Sequence, residues 1–291
     1  TPDLPLPPGH RFPAGKYRML CALVEKDAVI ARGELAPSPP ASRAELERAH
    51  DPAYVAAVLD GTLDPAIERR IGLPWSEVLA ARSRATVGGA LAAARSALAH
   101  GLSGQLAGGT HHAHRDFGSG YCVFNDLAVT ALTLLAEGQA RRIAILDLDV
   151  HQGDGNAAIL AGRPDALVVS VHGEKNFPFR KVASSLDVGL ADRTGDRDYL
   201  RALADVLPAV QSFRPDLLLY LSGADALASD RLGRLDLTLQ GLMQRDRMVF
   251  RLCRSCAIPV SIAIGGGYAD PIGDSVAVYA NTFRAAREVL G

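Results

Sequence analysis

The chain is built around the segment Asp147-Leu148-Asp149-Val150-His151-Gln152-Gly153-Asp154-Gly155, which directly follows the apolar run 143–146. A short apolar run of this kind is typical of a buried parallel strand. Because side chains at i and i+2 of an extended segment point the same way, Asp149 and His151 can converge on one point, with Asp147 on the same side. A carboxylate beside an imidazole provides half of a Zn(II) or Fe(II) site. The alternative is a polar turn that caps a helix at Asp154 or Asn156.

Strands and helices are predicted to alternate over most of the chain. Apolar runs indicate strands at 105–107, 143–146, 166–171, 217–221 and 260–264. Periodicity and capping residues indicate helices at 16–29, 52–59, 76–100, 126–136, 198–213, 239–256 and 281–290. This alternation predicts a parallel sheet covered by helices on both faces, which is a three-layer α/β/α fold. No linker or shift in composition divides the chain, so we expect one domain over residues 1–291.

Bulk composition limits the classes of partner. The formal net charge is -1, so no overall positive field favours nucleic acid or an anionic membrane. No apolar run has the length of a membrane span, and no signal-peptide pattern opens the chain. Four cysteines without a paired framework favour a reducing compartment, so we expect a cytoplasmic protein. Cys253 and Cys256 form a C-x-x-C inside a predicted helix, and without a second pair we expect them to pack rather than bind zinc.

Polar groups follow four of the predicted strands. They are His111 and His112, Asp149 and His151, Asp225, and Tyr268. In open parallel sheets, ligands bind at the carboxyl ends of the strands, so these groups are expected to meet at one edge of the sheet.

Asp225, which is flanked by small residues, can complete a ligand set with Asp149 and His151. Three protein ligands leave a coordination position for water and substrate, as a catalytic metal site requires. The cation then lowers the pKa of bound water and polarises a carbonyl oxygen. A helix cap is the alternative role for Asp225.

The adjacent His111 and His112 suit general base and general acid work beside such a metal. The two glycines before them permit the turn that both side chains need. Asp147 and Asp154 are the natural acceptors that would hold the imidazoles in one tautomer. A purely structural histidine pair is the alternative, and His114 has no comparable support in the sequence.

Tyr268 follows three glycines, which let the backbone approach a ligand closely. Its hydroxyl could donate a hydrogen bond to an oxyanion on the side opposite the metal. The alternative is a glycine-rich turn followed by a packing tyrosine.

Five ordered motifs resemble the zinc-dependent histone deacetylase superfamily. They are Gly108-Gly109-Thr110-His111-His112-Ala113, Gly118-Ser119-Gly120-Tyr121-Cys122 with Asn125-Asp126, the 147–155 segment, Ser222-Gly223-Ala224-Asp225-Ala226, and Gly265-Gly266-Gly267-Tyr268. The resemblance implies the arginase-deacetylase fold, with a central, mainly parallel sheet of eight strands. Within the superfamily, His10-Arg11-Phe12-Pro13-Ala14-Gly15-Lys16-Tyr17 and His151-Gln152 look most like the class IV branch and its bacterial relatives.

The resemblance also implies a role for each matching residue. The implied zinc ligands are Asp149, His151 and Asp225. The implied catalytic residues are His112 as general base and then acid, His111 as its electrostatic partner, and Tyr268, which polarises the scissile carbonyl. The implied substrate contacts are the carbonyl of Gly120, which accepts the amide N–H, and the tunnel walls Tyr121 and Phe177. A potassium ion behind the zinc is implied at Asp147, Asp149, His151, Ser170 and Val171.

Residues and resemblance together predict a metal-dependent amidohydrolase that removes acetyl or longer acyl groups from lysine side chains. Zinc is the expected metal, Fe(II) accepts the same ligands, and the substrate is an acyl-lysine protein or peptide, or a small acylated amine. Phe179 stands where many relatives have glycine and the loop 180–190 is short, so the acyl length stays open. The alternatives are an acetylpolyamine or other small-amide amidohydrolase, and a metal-bound acyl-ligand sensor without turnover. An arginase-like two-metal enzyme is disfavoured because Leu227 stands two residues after Asp225.

Overall fold

A single six-stranded parallel sheet forms the centre of the computed structural model, which describes residues 4–31 and 33–291. The strands are β1 Leu102–Gly104, β2 Ile143–Asp147, β3 Ala166–Gly173, β4 Leu186–Leu190, β5 Leu217–Leu221 and β6 Val260–Ala263. Their order across the sheet is β1-β6-β5-β2-β3-β4, and every neighbouring pair is parallel. Strands β2 and β5 lie side by side in the middle, and each is buried at every position.

Ten helices surround the sheet in the described part of the chain. They are α1 Lys16–Lys26, α2 Arg43–Leu46, α3 Pro52–Asp60, α4 Pro65–Ile71, α5 Glu77–His100, α6 Asp126–Ala136, α7 Asp154–Leu160, α8 Asp196–Phe213, α9 Leu239–Cys256 and α10 Ile272–Leu290. Local chemistry sets several of their ends. Asp51 accepts from the N–H of Ala53 and precedes a proline at the first position of α3, while Ser76 caps the start of α5. None of the described helices combines the length and the apolar character needed to cross a bilayer.

Two hydrophobic cores form on opposite faces of the sheet. Along β5, Leu218 and Tyr220 point into the core shared with α8, α9 and α10. The alternate residues of the same strand, Leu217 and Leu219, point into the core shared with α5 and α6. This alternation follows from the two-residue period of a strand. The predicted three-layer α/β/α fold is therefore confirmed.

The count of eight strands is not confirmed, since the described residues form six. Strand β1 lies three residues before its predicted position at 105–107, and β4 lies in the segment 180–190, which was expected to be a loop. Both are edge strands with half-exposed residues, so neither carries the apolar run that indicates a buried strand. Helix α1 ends earlier than predicted, and α10 begins nine residues before position 281.

Candidate active site

Three potential metal ligands converge at the carboxyl edge of the sheet. Asp149 and His151 follow β2, and Asp225 follows the neighbouring β5. Their ligand atoms all lie within 4.8 Å of one another. The Nδ1 atom of His151 lies 3.1 Å from Oδ1 of Asp149 and 3.1 Å from Oδ2 of Asp225. All three side chains are buried, so two carboxylates and one imidazole nitrogen face a single point.

The electrostatics of this cluster fit a divalent cation. Burial, joined by the charge of Asp149, raises the pKa of Asp225 to about 7. Burial lowers the pKa of His151, but hydrogen bonds with Asp149 and Asp225 outweigh it and raise that pKa to about 10. Two buried carboxylates so close together are costly unless a positive charge lies between them. A divalent metal with this donor set provides that charge, so the residues fit Zn²⁺ or Fe²⁺.

Two histidine–aspartate pairs stand next to the three ligands. The Nδ1–H of His111 donates to Oδ2 of Asp147 at 2.7 Å, and the Nδ1–H of His112 donates to Oδ1 of Asp154 at 2.7 Å. The two imidazole centroids are 4.1 Å apart, and the ring of His112 is 5.9 Å from that of His151. Each carboxylate fixes one tautomer and leaves the Nε2 atom of its histidine available to other groups.

The two pairs differ in protonation. Burial lowers the pKa of His111, but the charges of Asp147 and Asp149 outweigh burial and raise it to about 9. Burial, aided by the charge of His111, lowers the pKa of His112 to about 4. Neighbouring groups whose pKa values are driven apart in this way suit an arrangement with one charged partner and one neutral base.

Tyr268 and the glycines before it close the cluster from the β6 side. The N–H of Gly266 donates to Oδ2 of Asp149 at 2.7 Å, and a Cβ atom at Gly266 would collide with the carboxylate of Asp225. The N–H of Tyr268 donates to Asp230 at 2.6 Å. Burial raises the pKa of the Tyr268 phenol well above its ordinary value, so the hydroxyl stays protonated and can donate.

A cavity of ≈ 710 Å³ runs from these buried groups to exposed residues at its mouth. Gly120, Tyr121 and Phe177, to which the resemblance assigns the substrate contacts, line this cavity. The ring of Phe177 stands almost perpendicular to that of His112, with 4.9 Å between the centroids. Gly120 has a φ of 54°, and a Cβ atom there would lie 2.8 Å from Cδ2 of His112. The backbone of Gly120 in the cavity wall therefore packs closely against the imidazole of His112 at the cavity floor.

Comparison with protein families matches residues 10–283 to the histone deacetylase domain. The chain belongs to the histone deacetylase family. An uncharacterised protein of Picosynechococcus sp. is 46% identical over 98% of this chain and 95% of its own length. A histone deacetylase-like amidohydrolase of Pseudomonas aeruginosa is 33% identical over 84% of this chain and 68% of its own length. A crystal structure of the HDA15 HD domain superposes with a TM-score of 0.80 over 100% of this chain and 85% of that one, at 22% identity, which shows a common fold.

Family membership makes the chain a hydrolase of the type that acts on amides. Histone deacetylases are generally metal-dependent, and the three converging ligands of this chain provide a candidate metal site. The predicted resemblance is therefore confirmed at the level of the family.

The residues predicted for a second, monovalent cation also come together in this deacetylase domain. Asp147 at the end of β2 is the register partner of Ser170 on β3, and Val171 is the next residue on that strand. All three are fully buried, and none of them lines the cavity. The hydroxyl of Ser170 also contacts Nδ1 of His172 at 3.0 Å.

Sequence reasoning missed the support given to His114. Its Nε2 atom lies 3.0 Å from Oδ2 of Asp154, so this carboxylate serves two histidines at once. Burial raises the pKa of Asp154, but the hydrogen bonds from His112 and His114 outweigh burial and hold it well below the ordinary value. The i+2 spacing of His112 and His114 was the available signal, but only the fold shows that both reach one carboxylate.

Two buried cations that contact the loops of the deacetylase site were also missed. The Nζ atom of Lys16 is 3.2 Å from the carbonyl oxygen of Gly267 and 3.0 Å from the hydroxyl of Tyr279, which anchors the glycine loop. Arg245 of α9 donates to the carbonyl oxygen of Gly223 at 2.6 Å and to Asp246 at 2.9 Å. Both lie on predicted helices, where a basic residue is ordinarily taken to be exposed.

Proposed function

We propose that this deacetylase-family protein removes acetyl or longer acyl groups from lysine side chains. The observation that carries the proposal is the meeting of three metal ligands, two histidine–aspartate pairs and a protonated tyrosine at the floor of one cavity. A tunnel with aromatic walls suits a long aliphatic side chain that carries an amide at its end. Hydrolysis at the floor releases a carboxylic acid and a free amine.

Asp149, His151 and Asp225 would hold the catalytic metal, which we propose to be Zn²⁺, with Fe²⁺ as the other metal that this donor set accepts. When bound, such a cation supplies Lewis acidity and lowers the pKa of water. Asp147, Ser170 and Val171, with backbone oxygens of Asp149 and His151, would hold a potassium ion. Their burial beside the metal ligands supports this second site.

In the proposed mechanism His112 takes the proton from the attacking water at Nε2, because its Nδ1–H is already engaged with Asp154. His111, which Asp147 keeps charged, stabilises the negative charge that develops during attack. Proton return from His112 to the nitrogen then allows the amine to leave.

The remaining site residues position the amide. The hydroxyl of Tyr268 donates to the carbonyl oxygen as it becomes an oxyanion. The carbonyl of Gly120 accepts the N–H of the scissile amide, and the rings of Tyr121 and Phe177 exclude water from the alkyl stem of the lysine.

The test is turnover of one lysine peptide that carries an acetyl, an octanoyl or a myristoyl group, with and without a chelator. Chelator-sensitive release of the acid from at least one peptide is expected, with recovery after zinc is restored. The Asp225→Asn variant should bind zinc more weakly and lose turnover. Asp236→Asn changes a half-exposed aspartate outside the cavity and should keep both.

Either of two results would contradict this proposal and favour another function. Hydrolysis of acetylspermidine but of none of the lysine peptides favours an acetylpolyamine amidohydrolase. Binding of acyl ligands by the zinc-loaded protein without hydrolysis of any amide favours a sensor.

We further propose that residues 1–291 act as one catalytic domain in the cytoplasm. Ligands from both central strands meet at one edge of one sheet, which supports a single catalytic unit. The four cysteines carry free thiols, which suits a reducing compartment.

A further inference from the structure

The exposed charges at the mouth of the cavity are all positive. Arg70, Lys175, Arg180 and Arg234 line the cavity and are exposed to solvent. The carboxylates that line the same cavity are Asp149 and Asp154, which are buried at its floor. Among the described residues, no exposed carboxylate lines this mouth. Because the chain as a whole has a net charge of -1, the positive rim is a local feature.

Partners within the protein neutralise only part of this charge. Lys175 and Arg234 face one carboxylate, Asp192, at 3.9 Å and 3.2 Å. The guanidinium of Arg70 lies over the ring of Phe117, 3.7 Å from its centroid. Arg180 has no hydrogen bond or ion pair to any residue in the described part of the chain. The rim therefore presents cations whose counter-charge must come from solvent ions or from a partner.

An exposed aromatic ring stands among these cations. Phe179 is 85% exposed, which is the largest exposure of any large hydrophobic side chain among the described residues. Its ring lies edge-on to Phe177 of the tunnel wall, with 6.2 Å between the centroids. An apolar ring left in water directly beside the tunnel entrance is a natural contact for the chain that carries the substrate group.

We propose that the acyl group is presented on an acidic peptide segment, with aspartate or glutamate near the acylated lysine and an apolar residue against Phe179. This inference rests on the lysine deacylase function proposed above and names the class of its substrate. Acidic side chains complement the rim, whereas the additional ammonium groups of a polyamine face like charge on entry. The contacts lie at the entrance, away from the reacting atoms, so they change KM and leave kcat nearly unchanged.

The test compares three peptides that share one acyl-lysine and differ only in flanking residues, which are acidic, neutral or basic, with acetylspermidine as a fourth substrate. We expect kcat/KM to fall from acidic to neutral to basic, by roughly tenfold between the extremes at about 0.1 M salt. The range should shrink at about 1 M salt, where the screening length is only about 3 Å.

Variants separate the rim from general effects of charge. Arg180→Glu should remove or reverse the preference for acidic flanks. The matched control is Arg251→Glu on α9, an exposed arginine that does not line the cavity and has no ion pair among the described residues. It should retain the preference. Phe179→Ala should raise KM severalfold for every peptide with an apolar neighbour and leave kcat unchanged.

The outcomes are distinguishable. Equal kcat/KM for all three peptides, or faster cleavage of the basic one, overturns the inference and leaves the deacylase function standing. Cleavage of acetylspermidine alone, or of no substrate, overturns the deacylase function and the inference with it.

Discussion

Replacing Arg245 with methionine tests whether its buried ion pair with Asp246 holds the loops of the candidate metal site in place. Arg245 and Asp246 are both fully buried, and the arginine also reaches the carbonyl oxygens of Leu148 and Gly223. Leu148 precedes the candidate metal ligand Asp149, and Gly223 lies two residues before the candidate ligand Asp225. The change keeps most of the side-chain volume and removes only the charge and its hydrogen bonds.

The expected loss of stability follows from what the variant leaves behind. Asp246 keeps hydrogen bonds from Tyr220 and Thr282 but loses its only cationic partner among the described residues. Breaking a buried ion pair by removing one partner costs about 3–5 kcal/mol. For a chain of this size that corresponds to a fall in Tm of roughly 6–20 °C, since each kcal/mol is worth about 2–4 °C.

The assay is thermal and urea unfolding of the chelated and the zinc-loaded protein. The matched control is Arg247→Met on the same helix, where the guanidinium pairs with Glu288 at 2.7 Å but both side chains are partly exposed, at 28% and 51%. A pair of that kind is worth at most about 1 kcal/mol. Arg245→Met should also reduce the stabilisation that zinc provides, because both ligand-bearing loops lose an anchor. Equal losses in the two variants, with undiminished stabilisation by zinc, would refute the reasoning.

Three further predictions concern the site and its support. Tyr268→Phe should lower kcat by about 10²–10³ while zinc binding, measured by competition with a chelating dye, is unchanged; wild-type turnover in this variant removes the phenol from the mechanism. Gly120→Ala should lower kcat by roughly tenfold to a hundredfold, because the new methyl group, at a positive φ, meets the ring of His112. An unaltered kcat in a variant with full metal content would contradict this. His50, which donates from Nδ1 to the carbonyl of His114 and accepts at Nε2 from Asn125, has a pKa that burial lowers to about 4. Between about pH 6.5 and pH 4, His50 is therefore protonated in the unfolded chain and neutral in the folded one. As the pH falls through that range, the free energy of unfolding should decrease more steeply in the wild type than in His50→Gln. Parallel curves of unfolding free energy against pH would disprove a buried, neutral His50.

The parts of the fold that could be predicted from the sequence are those in which local pattern and tertiary environment agree. The middle strand 217–221 is apolar at every position, and the structure buries every one of its residues. Helices 126–136 and 239–256 were predicted with the bounds that the structure gives them. The candidate site could be predicted for the same reason. A polar residue that directly follows a buried parallel strand lies at the carboxyl edge of the sheet.

The rest depends on packing that no local pattern records. Strand β4 alternates between half-buried and exposed residues, and its pairing with β3 exists only in the folded chain. Lys16 and Arg245 are buried because distant carbonyl oxygens, those of Gly267 and Gly223, lie against them. Only the fold shows that these two cations have partners that satisfy their charge.

The floor and the mouth of the cavity impose opposite limits on how this protein can diversify. A Cβ atom at Gly266 would collide with Oδ2 of Asp225, so any other residue at that position displaces a candidate metal ligand. Phe179 and Arg180, by contrast, are exposed to solvent, so we expect substitutions there to leave the fold intact. Substitutions at the cavity entrance alone, in nature or in a laboratory library, are therefore expected to change which substrates bind. The residues at the floor constrain one another, whereas those at the entrance can change one at a time.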